Sequence, residues 1–140
     1  EFVCSTPQHG CNSGSYDPER GPFCYFPLGG SEHQTSNFNI LVNPGGFEVL
    51  DWVDDSFGTV PADAVESCPS VDIFVGRSRD GLGKVSKANQ ALFVALDGRE
   101  VWYKWYQVLV AKRGPSVVSI LGVSYNLSAA LERSERVPVA

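Results

Sequence analysis

The feature that constrains this chain most is an internal repeat. Laying Val110 on Val42 puts Leu109 on Leu41, Tyr106 on Phe38, Glu100 on Glu32, Gly98 on Gly30 and Phe93 on Tyr25 without a gap. Upstream, after a short gap, Phe74-Val75 falls on Phe2-Val3 and the loop around Gly81 corresponds to the loop around Gly10. A repeat of this length indicates a supersecondary unit that buries its apolar face against its own copy. The expected division is a partial first repeat over residues 1–43, a second repeat over 47–110 and a C-terminal strand and tail over 111–140. All three belong to one domain, since 140 residues suffice for a single core without a metal or an oligomer to support it.

The local pattern is that of strands. Residues 23–28, 37–43, 47–53, 71–75, 90–96, 101–112 and 117–127 are short runs rich in aromatic and β-branched side chains, separated by Gly- and Pro-containing breaks such as Asn43-Pro-Gly-Gly46. The expected fold is therefore all-β, a compact sandwich-like or prism-like domain of two pseudo-symmetric repeats with short antiparallel strands. Residues 1–22 read as one short strand followed by a long loop, Gly81-Leu-Gly83 and Asp97-Gly98 as turns, and 62–66 as a single helical turn. Residues 129–136 alone have a helical composition. The fuller copy opens with a segment, 52–65, that has no counterpart in the first copy. A vacancy of that kind exposes a sheet edge, so the tail from Ser116 to Ala140 is expected to fill it, in its own molecule or a neighbour's.

Composition excludes some functions. The net charge of −5 argues against nucleic acid, because phosphate binding needs clustered Lys and Arg. No apolar run is long enough to span a bilayer as a helix. Cys4, Cys11, Cys24 and Cys68 form an even set without a C-x-x-C pair, which reads as two disulfides rather than a zinc site, and proximity along the chain prefers Cys4–Cys11 with Cys24–Cys68. Disulfides imply an oxidising compartment, so the protein is expected to be secreted, with any signal peptide already removed before Glu1. Asn126-Leu-Ser128 is a glycosylation sequon compatible with that route.

The residues of the fuller copy also carry a resemblance. Leu50-Asp-Trp52-Val53, Gly58-Thr-Val60-Pro61-Ala-Asp-Ala64-Val65, Ile73-Phe-Val75-Gly76-Arg77, Gly83-Lys84-Val85, Gly98-Arg-Glu100 and Tyr106-Gln-Val108-Leu109-Val110 follow one another in the order of the DM-nine repeat. The first copy keeps mainly Gly29-Gly30-Ser-Glu32-His33 and Phe38-Asn-Ile40-Leu41-Val42. The chain thus resembles a family found in natterin-like proteins and in mannose-binding invertebrate lectins. That resemblance implies a sugar held by a lysine in a Gly-Lys turn, which here is Lys84, and by an acidic residue from the loop before the Phe-Val-Gly-Arg strand, whose length here differs from the lectin pattern. Glu66, Asp72 and Asp80 are the candidates for the acid. In the first copy the lysine position falls near Tyr16, and that half-site looks lost.

Trp102, Tyr103, Trp105 and Tyr106 stand where the first copy has Gln34, Thr35, Asn37 and Phe38. Tyr106 reads as core, and the other three as a platform for sugars, an anchor for a partner, or a cover for the N-terminal loop. On one continuous strand Tyr103 and Trp105 would share a face and Trp102 would share the other with Tyr106. Catalysis finds little support: His9 and His33 are the only histidines, no nucleophile elbow frames a serine, and Gly81-Leu-Gly-Lys84 lacks the rest of a phosphate loop. The expected protein is a non-enzymatic binder of glycans or glycoproteins that needs no cofactor or metal. The alternative is a structural subunit that self-associates in an extracellular assembly.

Overall fold

The computed structural model describes residues 1–46, 48–113 and 124–126. The short runs and their glycine turns become hairpins: β1 (Phe2–Thr6), β2 (Asn12–Tyr16), β3 (Cys24–Leu28), β4 (Ser31–Thr35), β5 (Asn39–Val42), β6 (Glu48–Ser56), β7 (Ile73–Ser78), β8 (Gly81–Ser86), β9 (Ala91–Leu96), β10 (Arg99–Tyr103), β11 (Trp105–Arg113) and β12 (Ser124–Asn126). Among the described residues these form one antiparallel sheet ordered β12-β5-β1-β2-β3-β4-β10-β9-β8-β7-β11-β6. The all-β expectation holds. No helix among the described residues is long and apolar enough to cross a membrane.

The order is the same read outward in either direction from the β4–β10 junction, where the two copies meet. There the backbone N–H of Glu32 donates to the Gly98 carbonyl and that of Glu100 to the Gly30 carbonyl, each at 3.0 Å. The side chains repeat the exchange: Gly98 N–H donates to Glu32 Oε1 and Gly30 N–H to Glu100 Oε1, again at 3.0 Å. Each glutamate therefore caps the turn of the other copy, with charge-assisted bonds of the stronger kind.

The sheet folds so that β2 packs on β8 and β3 on β9. A central cluster of Val3, Leu41, Val75, Leu82 and Leu109 lies between the halves. Val3 and Val75 are repeat equivalents, as are Leu41 and Leu109, so the joint core is built from the same positions used twice. The two halves also have cores of their own, around Ile40 and Phe38 in one and Leu92 and Val108 in the other.

Several expectations need correction. Residues 1–22 hold two strands, because β2, although polar, is buried: Ser13 Oγ donates to the Gly83 carbonyl at 2.9 Å and Ser67 Oγ donates to Ser13. The polar run Ser31–Thr35 is a strand, held by pairing with β3 and β10 and not by burial. Within residues 62–66, Ala62 and Asp63 form a turn closed by the Ala64 N–H on the Pro61 carbonyl at 3.2 Å, and beyond it Ala64 bridges Val110 and Glu66 bridges Phe74. The 101–112 run is two strands, parted at Lys104, with β10 paired to β9 and β11 to β7 and β6. No glycine or proline marks that break.

Gly81 begins β8, so Gly81-Leu-Gly83 is strand and the turn lies at Arg79 and Asp80. Gly83 is required for a different reason: a Cβ there would lie 1.9 Å from the Phe93 carbonyl oxygen, and at its equivalent, Gly14, 2.0 Å from that of Tyr25. Strands approach too closely at both points for any side chain.

The disulfides are Cys4–Cys24 and Cys11–Cys68, not the pairs that chain proximity favours. The β1–β2 register sets Cys4 opposite Gly14 and carries Cys11 beyond Asn12 to the hairpin turn. Cys4 instead meets Cys24 across β2, with Cα atoms 6.0 Å apart. Cys11–Cys68 ties the first copy to the second.

β12 opposes Val42, Leu41 and Ile40 with Ser124, Tyr125 and Asn126, at the register that β6 uses to oppose Val110, Leu109 and Val108 with Asp51, Trp52 and Val53. Residues 124–126 thus stand in the station that the first copy lacks. Phe47, the remainder of 116–140, including the helical composition at 129–136, and the rest of the sequon at Asn126 lie outside the described residues.

Two measurements check this architecture. Non-reducing peptide mapping should recover Cys4 with Cys24 and Cys11 with Cys68, and serine at both Cys11 and Cys68 should lower stability by about 2–4 kcal/mol. Gly83→Ala should cost about 1–3 kcal/mol in urea unfolding through overpacking against the Phe93 carbonyl.

Candidate functional site

Alternation along β8, β9 and β10 brings one side chain from each into a row. Lys84 lies opposite Phe93, and Phe93 opposite Trp102, so all three share a face. Glu100, two residues before Trp102 on β10, joins the same face. Lys84 is thus a strand residue, 9% exposed, and not the solvated turn lysine that Gly83-Lys84 implies.

Its amine stands 3.9 Å from Glu100 Oε2 and 5.9 Å from the centroid of the Phe93 ring. Burial pushes this amine below the ordinary lysine value of 10.5, and the Glu100 carboxylate offsets part of that shift. The pair opens into a cavity of about 690 Å³, whose lining includes Trp102, Lys104, Asn89 and Phe93. Trp102 is 60% exposed at its edge.

Glu100 is the carboxylate beside Lys84, and none of Glu66, Asp72 and Asp80 lines this cavity. Glu66 Oε2 accepts the Val71 N–H at 3.1 Å within its own loop. Asp72 is exposed, immediately before β7. Asp80 Oδ2 accepts the Tyr103 hydroxyl at 2.6 Å; burial first, and that carboxylate second, push the Tyr103 phenol up. The signal for Glu100 was present in the repeat, since it aligns with Glu32, but it reads as a turn residue. One carboxylate does both jobs: Oε1 caps the Gly30 turn and Oε2 faces Lys84.

The first copy holds a related arrangement with a different cation. Its row is Ser15, Tyr25 and Gln34, so the lysine position is Ser15, next to Tyr16. Arg20, from the turn after β2, lies with its Cζ 3.6 Å from the Tyr25 ring centroid and its Nη1 3.3 Å from Glu32 Oε2. Carboxylate and ring are the repeat equivalents of Glu100 and Phe93, while the positive charge comes from elsewhere in the chain.

The aromatic residues divide at Lys104. Tyr106 is buried, as expected of core, and Tyr103 packs partly against the second core. Trp105 is 71% exposed and meets Phe57 edge-on at 5.1 Å. Asn126 lies on β12, paired with Ile40.

With this geometry in place, comparison with known proteins is informative. The family profile described as DM9 repeat matches residues 2–81. Natterin-3 of Thalassophryne nattereri is 42% identical over 130 residues, covering 93% of this chain and 34% of that protein. Natterin-2 and Natterin-4 of the same organism are 38% and 35% identical, covering 89% and 91% of this chain. The chain spans about a third of the length of these relatives. A profile that matches more than half of the residues, with the paired glutamate turns and the duplicated sheet, gives the conclusion that this chain belongs to the DM9 repeat family.

Proposed function

We propose that the chain is a secreted carbohydrate-binding recognition module that holds sugar hydroxyls between Lys84 and Glu100. The observation that carries this reading is the separation of that pair. At 3.9 Å the amine and the carboxylate are beyond ordinary hydrogen-bond distance, yet both face one cavity. An ammonium donates and a carboxylate accepts, so vicinal hydroxyls, which do both, complete the pair. Trp102 at the edge supplies an apolar wall for the less polar face of a sugar ring. The buried amine gains strength as a donor because little water competes with it.

The resemblance to mannose-binding lectins makes mannose-type glycans the ligand class to try first. Two disulfides support an oxidising, extracellular setting. A binding role rather than a catalytic one accords with His33, whose Nε2 contacts the Leu28 carbonyl at 2.9 Å and whose ring stacks on Phe26. A second reading, a structural subunit of an extracellular assembly, is favoured by the exposure of Trp105, Trp102 and Phe57 on one surface. Size-exclusion chromatography over a concentration series separates the two, since an assembly that Trp105→Ala disperses supports the subunit.

Calorimetry against mannose-type oligosaccharides is the direct test. Lys84→Ala should lose about 1.5–3 kcal/mol of binding free energy with the fold unchanged by circular dichroism, as expected for a charge-assisted donor. An absence of heat from the unmodified protein with every glycan tried rules the reading out.

The pH dependence has a definite sign. Binding needs the ammonium, and burial lowers its pKa below 10.5, so affinity should fall as pH rises through that lowered value, before exposed lysines deprotonate. Glu100→Gln removes the charge that opposes the shift, while its amide oxygen can still accept from Gly30. The alkaline fall should therefore move to lower pH, and titration of both proteins by calorimetry reads the order.

A further inference from the structure

A second cavity, of about 540 Å³, opens on the other side of the Lys104 break, lined among others by Asp54, Arg77, Tyr103, Trp105 and Gln107. Its floor is a polar relay across three strands. The β7–β11–β6 register sets Arg77 opposite Gln107 and Gln107 opposite Asp54. Arg77 Nε donates to Gln107 Oε1 at 2.9 Å, and Gln107 Nε2 donates to Asp54 Oδ1 at 3.1 Å. The Arg77 guanidinium also lies 4.3 Å from the Trp52 ring centroid, which fixes its plane. Fixed donors and acceptors beside an exposed indole are again the equipment for a hydroxylated ring.

The two cavities are joined by one ridge. The Lys104 amine, which lines the first cavity, is 5.5 Å from the Trp102 ring and 6.0 Å from the Phe57 ring. Phe57 meets Trp105, which lines the second cavity. The ridge is tied down by a hydrogen bond from the Phe57 N–H to the Lys104 carbonyl at 2.9 Å, and the Lys104 amine donates to the Gln90 carbonyl at 2.9 Å. Trp102 and Trp105 therefore line two separate cavities, with aromatic and cationic side chains between them.

We infer that the chain recognises an extended oligosaccharide, with one sugar at Lys84 and Glu100 and a further sugar of the same chain over Trp105 in the Arg77–Gln107–Asp54 cavity. This rests on the carbohydrate reading of the first cavity. It accounts for why two large indoles are left in water on either side of the break between consecutive strands, a placement that core packing does not require.

The test is calorimetry with mannose and with a linear mannotriose, using the unmodified protein, Lys84→Ala and Trp105→Ala. Trp105 is 71% exposed, so its replacement leaves the core intact, and an unchanged melting temperature verifies that. The expected result is that mannotriose binds the unmodified protein about tenfold more tightly than mannose, and that Trp105→Ala removes this gain without altering mannose affinity. Lys84→Ala should weaken both ligands. If Trp105→Ala leaves mannotriose affinity unchanged while Lys84→Ala still weakens both, the second subsite is refuted and the first stands. If Trp105→Ala weakens mannose and mannotriose equally, the two-subsite arrangement is likewise overturned. Silence of the unmodified protein toward both sugars overturns the inference together with the reading beneath it.

Discussion

Four hydrogen bonds between two glutamates and two glycine turns hold the duplicated sheet together. Glu32 and Glu100 each give a backbone N–H to the opposite turn and each accept from that turn through one carboxylate oxygen. The bonds are reciprocal, so the two halves are held at one register and a slip of a single residue would break all four. The glutamates have to point inward across the junction, and this leaves the second oxygen of each facing a cation. The carboxylate that fixes the turn is thereby also the one that stands beside Lys84.

A core shared by symmetry has consequences for how the halves can diverge. Val3 with Val75 and Leu41 with Leu109 pack in one cluster, so the interior accepts little change in either copy without a matching change in the other. Gly14 and Gly83 are under the same restriction, since the neighbouring carbonyl occupies the space of a Cβ in both. Variation is therefore confined to the outward row. There Lys84, Phe93 and Trp102 face Ser15, Tyr25 and Gln34 as counterparts, and the first half recovers its positive charge from Arg20 in a loop. A lysine and an arginine present different donor geometries, a compact three-donor ammonium against a planar fork, so the halves are not equivalent surfaces.

Burial sets the chemical character of Lys84. Its amine lies beside one carboxylate and one aromatic ring, in a position where desolvation disfavours the charged form and Glu100 restores part of it. Exposed lysines such as those in turns keep a full hydration shell and offer little to a neutral hydroxyl. The β8 strand, not the Gly-Lys turn that the residue pattern implies, is what removes that water.

The sequence by itself determined the duplication and the all-β class, because the repeat spacing and alternating apolar residues are local or self-referential signals, whereas Lys84 was singled out only by the family resemblance. It also marked Trp102 and Trp105 as additions, since the first copy is polar at those positions. It could not show which carboxylate stands beside Lys84, because Glu100 is distant from Lys84 along the chain and meets it only when β9 inserts between β8 and β10. The polar strands β2 and β4 escaped notice because pairing and internal hydrogen bonds hold them, and those leave no apolar period. Disulfide pairing was misjudged for a related reason: register within the β1–β2 hairpin, not separation along the chain, decides which sulfurs meet. The break at Lys104, which sends Trp102 and Trp105 to different cavities, carries no glycine or proline. It exists only because β10 ends its pairing with β9 where β11 begins pairing with β6, and that is a property of the folded sheet.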